Sequence, residues 1–172
     1  MRQLHLQLTL AAMYDFAPDP DAPRPEVYDD LVGAAKALVS GEPDPVANMA
    51  NVAALIWQFL PELNWAGFYR MLEGELVLGP FIGKPACIRI ALGSGVCGTA
   101  AATGQSQCVA DVHAFPGHIA CDAASQSELV VPVLRDGVVI AVIDLDSPVT
   151  GRFDAVDAAG IEALAAAISQ AV

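Results

Sequence analysis

Residues 128–147 read ELVVPVLRDGVVIAVIDLDS. Two apolar runs flank Asp136-Gly137, a dipeptide suited to the positive φ angles of a tight hairpin turn. The runs are short and rich in Val and Ile, which favours strands. An antiparallel pair is therefore predicted over 128–135 and 138–147. The second strand ends in Asp144 and Asp146, whose i, i+2 spacing directs both carboxylates to one face. By alternation that face continues Val138, Ile140 and Val142. A strict two-residue turn pairs Arg135 with Val138 and so places Glu128 opposite Leu145, on the wrong face for the two aspartates. Glu128 joins them only through a β-bulge, a wider turn, or a position just outside the strand.

Working outward, residues 65–72 (WAGFYRML) and 76–81 (LVLGPF) flank Glu73-Gly74-Glu75 and predict a second hairpin. Residues 87–92 read as another strand, a short helix is expected over 96–103 with Gly104 closing it, and 107–110 form a short strand. Residues 111–127 are a long polar loop with two His and one Cys, a kind of loop that often carries function. Helices are predicted over 26–40, from Asp44 as N-cap with Pro45 at the first helical position up to Pro61, and after Asp154, with Asp157 in the capping-box position. Residues 15–26 (DFAPDPDAPRPE) are rich in Pro and Asp and read as a linker, which divides the chain into an N-terminal extension, 1–25, and one domain, 26–172. Strands joined by tight turns, with helices at both ends, predict an α+β architecture: a central antiparallel sheet flanked by N- and C-terminal helices.

The composition narrows the partners. Eight basic against 20 acidic residues give a net charge of −12, which argues against nucleic acid and against anionic membrane surfaces. No apolar run reaches membrane-spanning length, and the first 15 residues lack a clear signal-peptide pattern, so a cytoplasmic location is expected. Cys87, Cys97, Cys108 and Cys121 match no zinc spacing, and they read as reduced or redox-active thiols. His113, His118 and Cys121 form no standard metal arrangement, so no metal is expected. Gly93-Ser94-Gly95 lacks the Lys of a phosphate-binding loop.

Several blocks, in order, carry a resemblance: NWAGFY (64–69), LVLGPF (76–81), GVCGT (95–99), DVHAFPGHIACDAAS (111–125), SEL (127–129), DLDS (144–147) and GRF (151–153). Together they resemble the free methionine-R-sulfoxide reductases over most of the chain after residue 26. The resemblance implies a GAF fold, reduction of free methionine-R-sulfoxide to methionine, no bound cofactor, thioredoxin as the electron donor, and a homodimer. It further implies that Cys121 attacks the sulfoxide, that Cys87 resolves the oxidised product by forming a disulfide, and that Cys97 pairs with Cys87 or relays. Trp65, Tyr69, Glu128, Asp144 and Asp146 match substrate-pocket positions.

These residue types suit that chemistry. A sulfoxide sulfur becomes electrophilic when its oxygen is protonated, so a thiolate and an acid must meet at one place. Two partly desolvated carboxylates can bind an ammonium group and supply a proton. Trp65 and Tyr69, four apart, share a strand face; Trp65 can cover the thioether and methyl. Each residue also has a plainer reading: aromatics pack in cores, strand ends carry solvated acids, and cysteines are small buried hydrophobes, the reading adopted for Cys108. A non-catalytic GAF ligand sensor and a thiol redox sensor are the alternative functions.

Overall fold

The computed structural model describes residues 16–118 and 122–172. Six strands form one sheet: β1 (Trp65–Leu72), β2 (Glu75–Gly83), β3 (Arg89–Ala91), β4 (Gln107–Val109), β5 (Ser127–Arg135) and β6 (Val138–Ser147), in the spatial order β3-β2-β1-β6-β5-β4. All neighbouring strands run antiparallel. The helices are α1 (Arg24–Val39), α2 (Pro45–Phe59), α3 (Gly95–Thr103) and α4 (Ala155–Ile168). No helix among the described residues is long and apolar enough to cross a membrane.

Helix ends follow their local chemistry. The Asp44 side chain accepts from the N–H groups of Val46 and Ala47, with Pro45 opening α2. Asp154 and Asp157 form a reciprocal capping box on α4, as the sequence predicts. Gly104 takes the left-handed conformation that ends α3. Helix α1 starts at Arg24, inside the segment expected to be linker, and Phe16 packs against the core.

Two apolar layers sandwich the sheet. On one face Ala66, Phe68, Leu129, Val131, Ala141, Ile143 and Leu145 share a core with Leu31, Val52, Ile56, Ile161, Leu164 and Ile168; α2 and α4 lie against the strands, and α1 packs on both of these helices. Buried Asp157 ties this layer together: it accepts from the Tyr28 hydroxyl (2.6 Å) and pairs with Arg24 (2.7 Å) and Arg152 (3.2 Å). On the other face α3 and the loop after β4 cover Trp65, Tyr69, Leu76, Val130 and Val142.

The β5–β6 hairpin contains the device that its sequence requires. Arg135 pairs with Val138 and Leu134 with Val139, but Val133 pairs with Ala141, so Ile140 is an extra residue. This bulge corrects the simple alternation along β6. Val142 faces the α3 side, whereas Ile140 turns to the helical layer and Val138 is exposed. Beyond the bulge, Glu128 pairs with Asp146 and Leu129 with Leu145. Cys108 also departs from expectation: it is exposed on the edge strand β4, its Sγ 3.5 Å from the carbonyl of Phe153.

Candidate active site

The sheet face beneath α3 ends in an acidic row. Trp65 on β1 lies opposite Asp146 on β6, which lies opposite Glu128 on β5; one row further in, Gly67, Asp144 and Val130 align. Residues in one row share a face, so Trp65, Asp146 and Glu128 converge and Asp144 meets Glu128 on the diagonal. Gly67 makes room within this layer: a Cβ there would stand 2.4 Å from the Cβ of Phe81. Phe81 then stacks on Trp65 at 5.2 Å between ring centroids, and Trp65 stacks on Tyr69 at 5.9 Å.

A pocket opens over this row. Trp65, Tyr69, Cys97, Glu128, Asp144 and Asp146 all line it, together with His118, Asp122, Ser125 and residues 84–86. Six of the eight site residues expected from the sequence therefore share one cavity. Cys87 lies just past its rim, half-buried against the core in the connection between β2 and β3. Cys121 lies outside the described residues; Asp122, which follows it, lines the pocket.

Burial sets the electrostatics. Asp144 and Glu128 are each 6% exposed. Burial pushes the Asp144 carboxyl up to about 7, against hydrogen bonding from Cys97 and Glu128 that pulls it down. Glu128 rises well above the usual carboxylate range through burial and the charges of Asp144 and Asp146. Asp146 rises through burial and the charge of Asp144, with Ser125 opposing by a hydrogen bond. Packed together in a water-poor site, the three carboxyls resist ionising all at once. The Cys97 thiol is raised by burial and by the acids around it, and sits 4.0 Å from Glu128 Oε1. His118 Nε2 lies 3.7 Å from Glu128 Oε2, and burial and His113 lower its pKa.

Four residues without an assigned role in the sequence reading build the rim. Lys84 Nζ pairs with Asp122 at 3.0 Å, and the Lys84 carbonyl accepts from Trp65 Nε1 at 3.1 Å. Asn64 donates to both Ser125 Oγ (3.0 Å) and Asp122 (3.3 Å). The connection before β3, which carries Cys87, is thus fastened to Asp122. Asn64, Asp122 and Ser125 fall inside the quoted blocks. Lys84 is a cation beside Gly83 in a strongly acidic chain, the one signal that could have marked it.

A six-stranded antiparallel sheet, with helices from both ends of the chain on one face and a pocket on the other, defines a GAF domain, and the GAF domain family matches residues 46–172. The free methionine-R-sulfoxide reductase of Escherichia coli (strain K12) is 50% identical over 145 residues, spanning 84% of this chain and 88% of that one. That of Saccharomyces cerevisiae is 43% identical over 153 residues, 84% of this chain and 85% of its own. The solved free methionine-R-sulfoxide reductase from Neisseria meningitidis, in complex with its substrate, matches with a TM-score of 0.87 at 39% identity, covering 92% of this chain and 95% of that chain. The chain belongs to the free methionine-R-sulfoxide reductase family of enzymes.

Proposed function

We propose that this protein reduces free L-methionine-R-sulfoxide to methionine in the pocket beneath α3. The observation that carries the reading is the convergence of Glu128, Asp144 and Asp146 beside Trp65 in a small buried cavity. An amino-acid sulfoxide presents an ammonium, a carboxylate, an S=O group and a short apolar arm. Ionised carboxylate in the acidic row holds the ammonium, a carboxyl kept protonated by its neighbours donates to the sulfoxide oxygen, and Trp65 covers the thioether and methyl. Tyr69 stacks behind Trp65 and fixes its plane.

The Cys121 thiolate attacks the sulfoxide sulfur while a proton goes to the oxygen. Methionine leaves, and Cys121, having given up two electrons, carries the oxygen as a sulfenic acid. The Cys87 thiol, or Cys97 in its place, then attacks the Cys121 sulfur, forming a disulfide and releasing water. Thioredoxin returns two electrons and two protons, which restores both thiols. The rim contact between Lys84 and Asp122 favours this exchange, since it fastens the segment bearing Cys87 to the residue after Cys121. The oxidation uses the chain's own thiols and carboxyls and calls on no bound cofactor. We further infer a homodimer working in the cytoplasm, to be tested by sedimentation and cell fractionation.

The test is a coupled assay with purified protein, thioredoxin, thioredoxin reductase and NADPH, comparing free methionine-R-sulfoxide, its S epimer and a sulfoxide-containing peptide. NADPH consumption with the free R epimer alone is expected. Equal rates on the peptide would remove the closed amino-acid pocket from the reading. Ligand binding without NADPH consumption would point to a sensor.

A further inference from the structure

The carboxyl row also brings a thiol and two carboxyls close enough to share a ligand other than the substrate. Cys97 Sγ and one oxygen each of Glu128 and Asp144 all lie within 4.8 Å of one another. All three residues are buried, and Asp144 Oδ1 is a buried oxygen with no hydrogen-bond partner. His118 Nε2 stands 3.7 Å from the other oxygen of Glu128. One sulfur, two carboxylates and an imidazole make a donor set matched to a small, borderline-soft divalent cation. In a tetrahedral zinc site with bonds of about 2.0–2.3 Å, ligand atoms sit about 3.3–3.8 Å apart, so small side-chain rotations close this set on an ion.

We propose that Cys97, Glu128 and Asp144, with His118 as a fourth donor, bind a divalent cation of the zinc class, and that this ion competes with the amino-acid substrate. Binding breaks the Cys97 S–H bond, forms a sulfur–metal bond and releases the thiol proton to solvent. The ion satisfies the orphaned Asp144 oxygen and occupies the place an ammonium group would take. The competition rests on the substrate reading given above; the binding does not. Reductase activity would then fall as free zinc rises, and return when a thiol-rich chelator removes it.

The probes are Co2+ and Zn2+ titrated anaerobically into the fully reduced full-length chain. One equivalent of Co2+ should give a near-ultraviolet thiolate-to-metal band that Zn2+ abolishes. The band should vanish in both Cys97→Ser and Cys97→Ala, and persist in Cys87→Ser, Cys108→Ser and Cys121→Ser. Glu128→Gln and Asp144→Asn should each weaken binding by about tenfold or more. Circular dichroism identifies any variant that does not fold, and the two substitutions at Cys97 and the two carboxyl variants keep the question decidable if one fails. A band that survives both Cys97 variants, or that is lost with Cys87 or Cys121, overturns the assignment. Zn2+ should raise the apparent KM for the sulfoxide; an unchanged KM overturns the competition. Full turnover in chelator with no cobalt band fails the metal site alone. A cobalt band with no turnover in chelator fails the reductase reading alone.

Discussion

Glu128 stands directly opposite Asp146 on the neighbouring strand, although the turn joining their strands would by itself set Glu128 against Leu145. Like charges opposed across a sheet are costly unless protons or a bound cation relieve them. On the proposed reading the acidic row gives up stability for chemistry, and its removal should be visible in both.

Asp144→Asn should lower kcat/KM by about 100-fold or more, the scale of a lost general acid or charge partner, yet raise thermal stability above neutral pH. Burial lifts Asp144 from 3.8 to about 7 in the folded chain. Below the unfolded value both states are protonated and the residue is neutral to stability. Between that value and about 7 the unfolded chain releases its proton first, so stability falls as pH rises, and the full cost persists above. The expected gain in the variant is on the order of a few kcal/mol at pH 8, with about 2–4 °C in Tm for each, and it should vanish near pH 4. Melting curves across pH check this; equal Tm differences at both ends would refute the linkage.

Cys121→Ser should abolish turnover. Cys87→Ser should allow a single turnover, or slow recycling through Cys97, read as methionine released per protein with thioredoxin present. Intact-mass spectrometry of the oxidised Cys87→Ser protein should find either a sulfenic acid trapped by dimedone or a Cys121–Cys97 disulfide. Full activity in Cys121→Ser would remove that thiol from its role.

Gly67→Ala should destabilise by about 1–3 kcal/mol or more, the range for overpacking. Its new methyl would stand 2.4 Å and 2.7 Å from Phe81 Cβ and Cα, and 2.8 Å from the Pro80 carbonyl. Backbone must move, and Phe81 then slides on Trp65. Chemical denaturation followed by tryptophan fluorescence reports both effects; an unshifted midpoint would show that the layer is looser than its contacts indicate.

Asp157→Ala should cost about 3–5 kcal/mol, because it strands partners of a fully buried charge. Arg152, Tyr28 and Arg24 all converge on that carboxylate. The site lies on the opposite sheet face, so kcat/KM of the folded fraction should remain near that of the parent. A variant inactive at temperatures where it is fully folded would contradict this separation.

Strand and helix positions were legible because turn dipeptides, capping aspartates and apolar periods all have local causes. Asp136-Gly137, Asp44-Pro45 and the Asp154–Asp157 box each sit where their chemistry puts them. The acids, the aromatics and Cys97 are the residues that the sequence singles out, and one pocket brings them together. Long-range pairings were not legible. The contact between Lys84 and Asp122 spans 38 residues, and that between Tyr28 and Asp157 spans 129. Nothing in either neighbourhood names its partner. Ile140 departs from simple alternation for a related reason: alternation is a local rule, and the bulge that aligns Glu128 with Asp146 overrides it.

The extra residue at Ile140 also limits how this hairpin can change its length. Deleting it, or adding one residue beside it, would swap which side chains from Ala141 onward look toward the helices and which toward the cavity. Leu145 would then project into the polar chamber and Asp144 into hydrocarbon. Length changes at this solvent-facing corner should therefore survive selection in steps of two, and an odd step should be lethal to the enzyme however far it lies from any reacting atom.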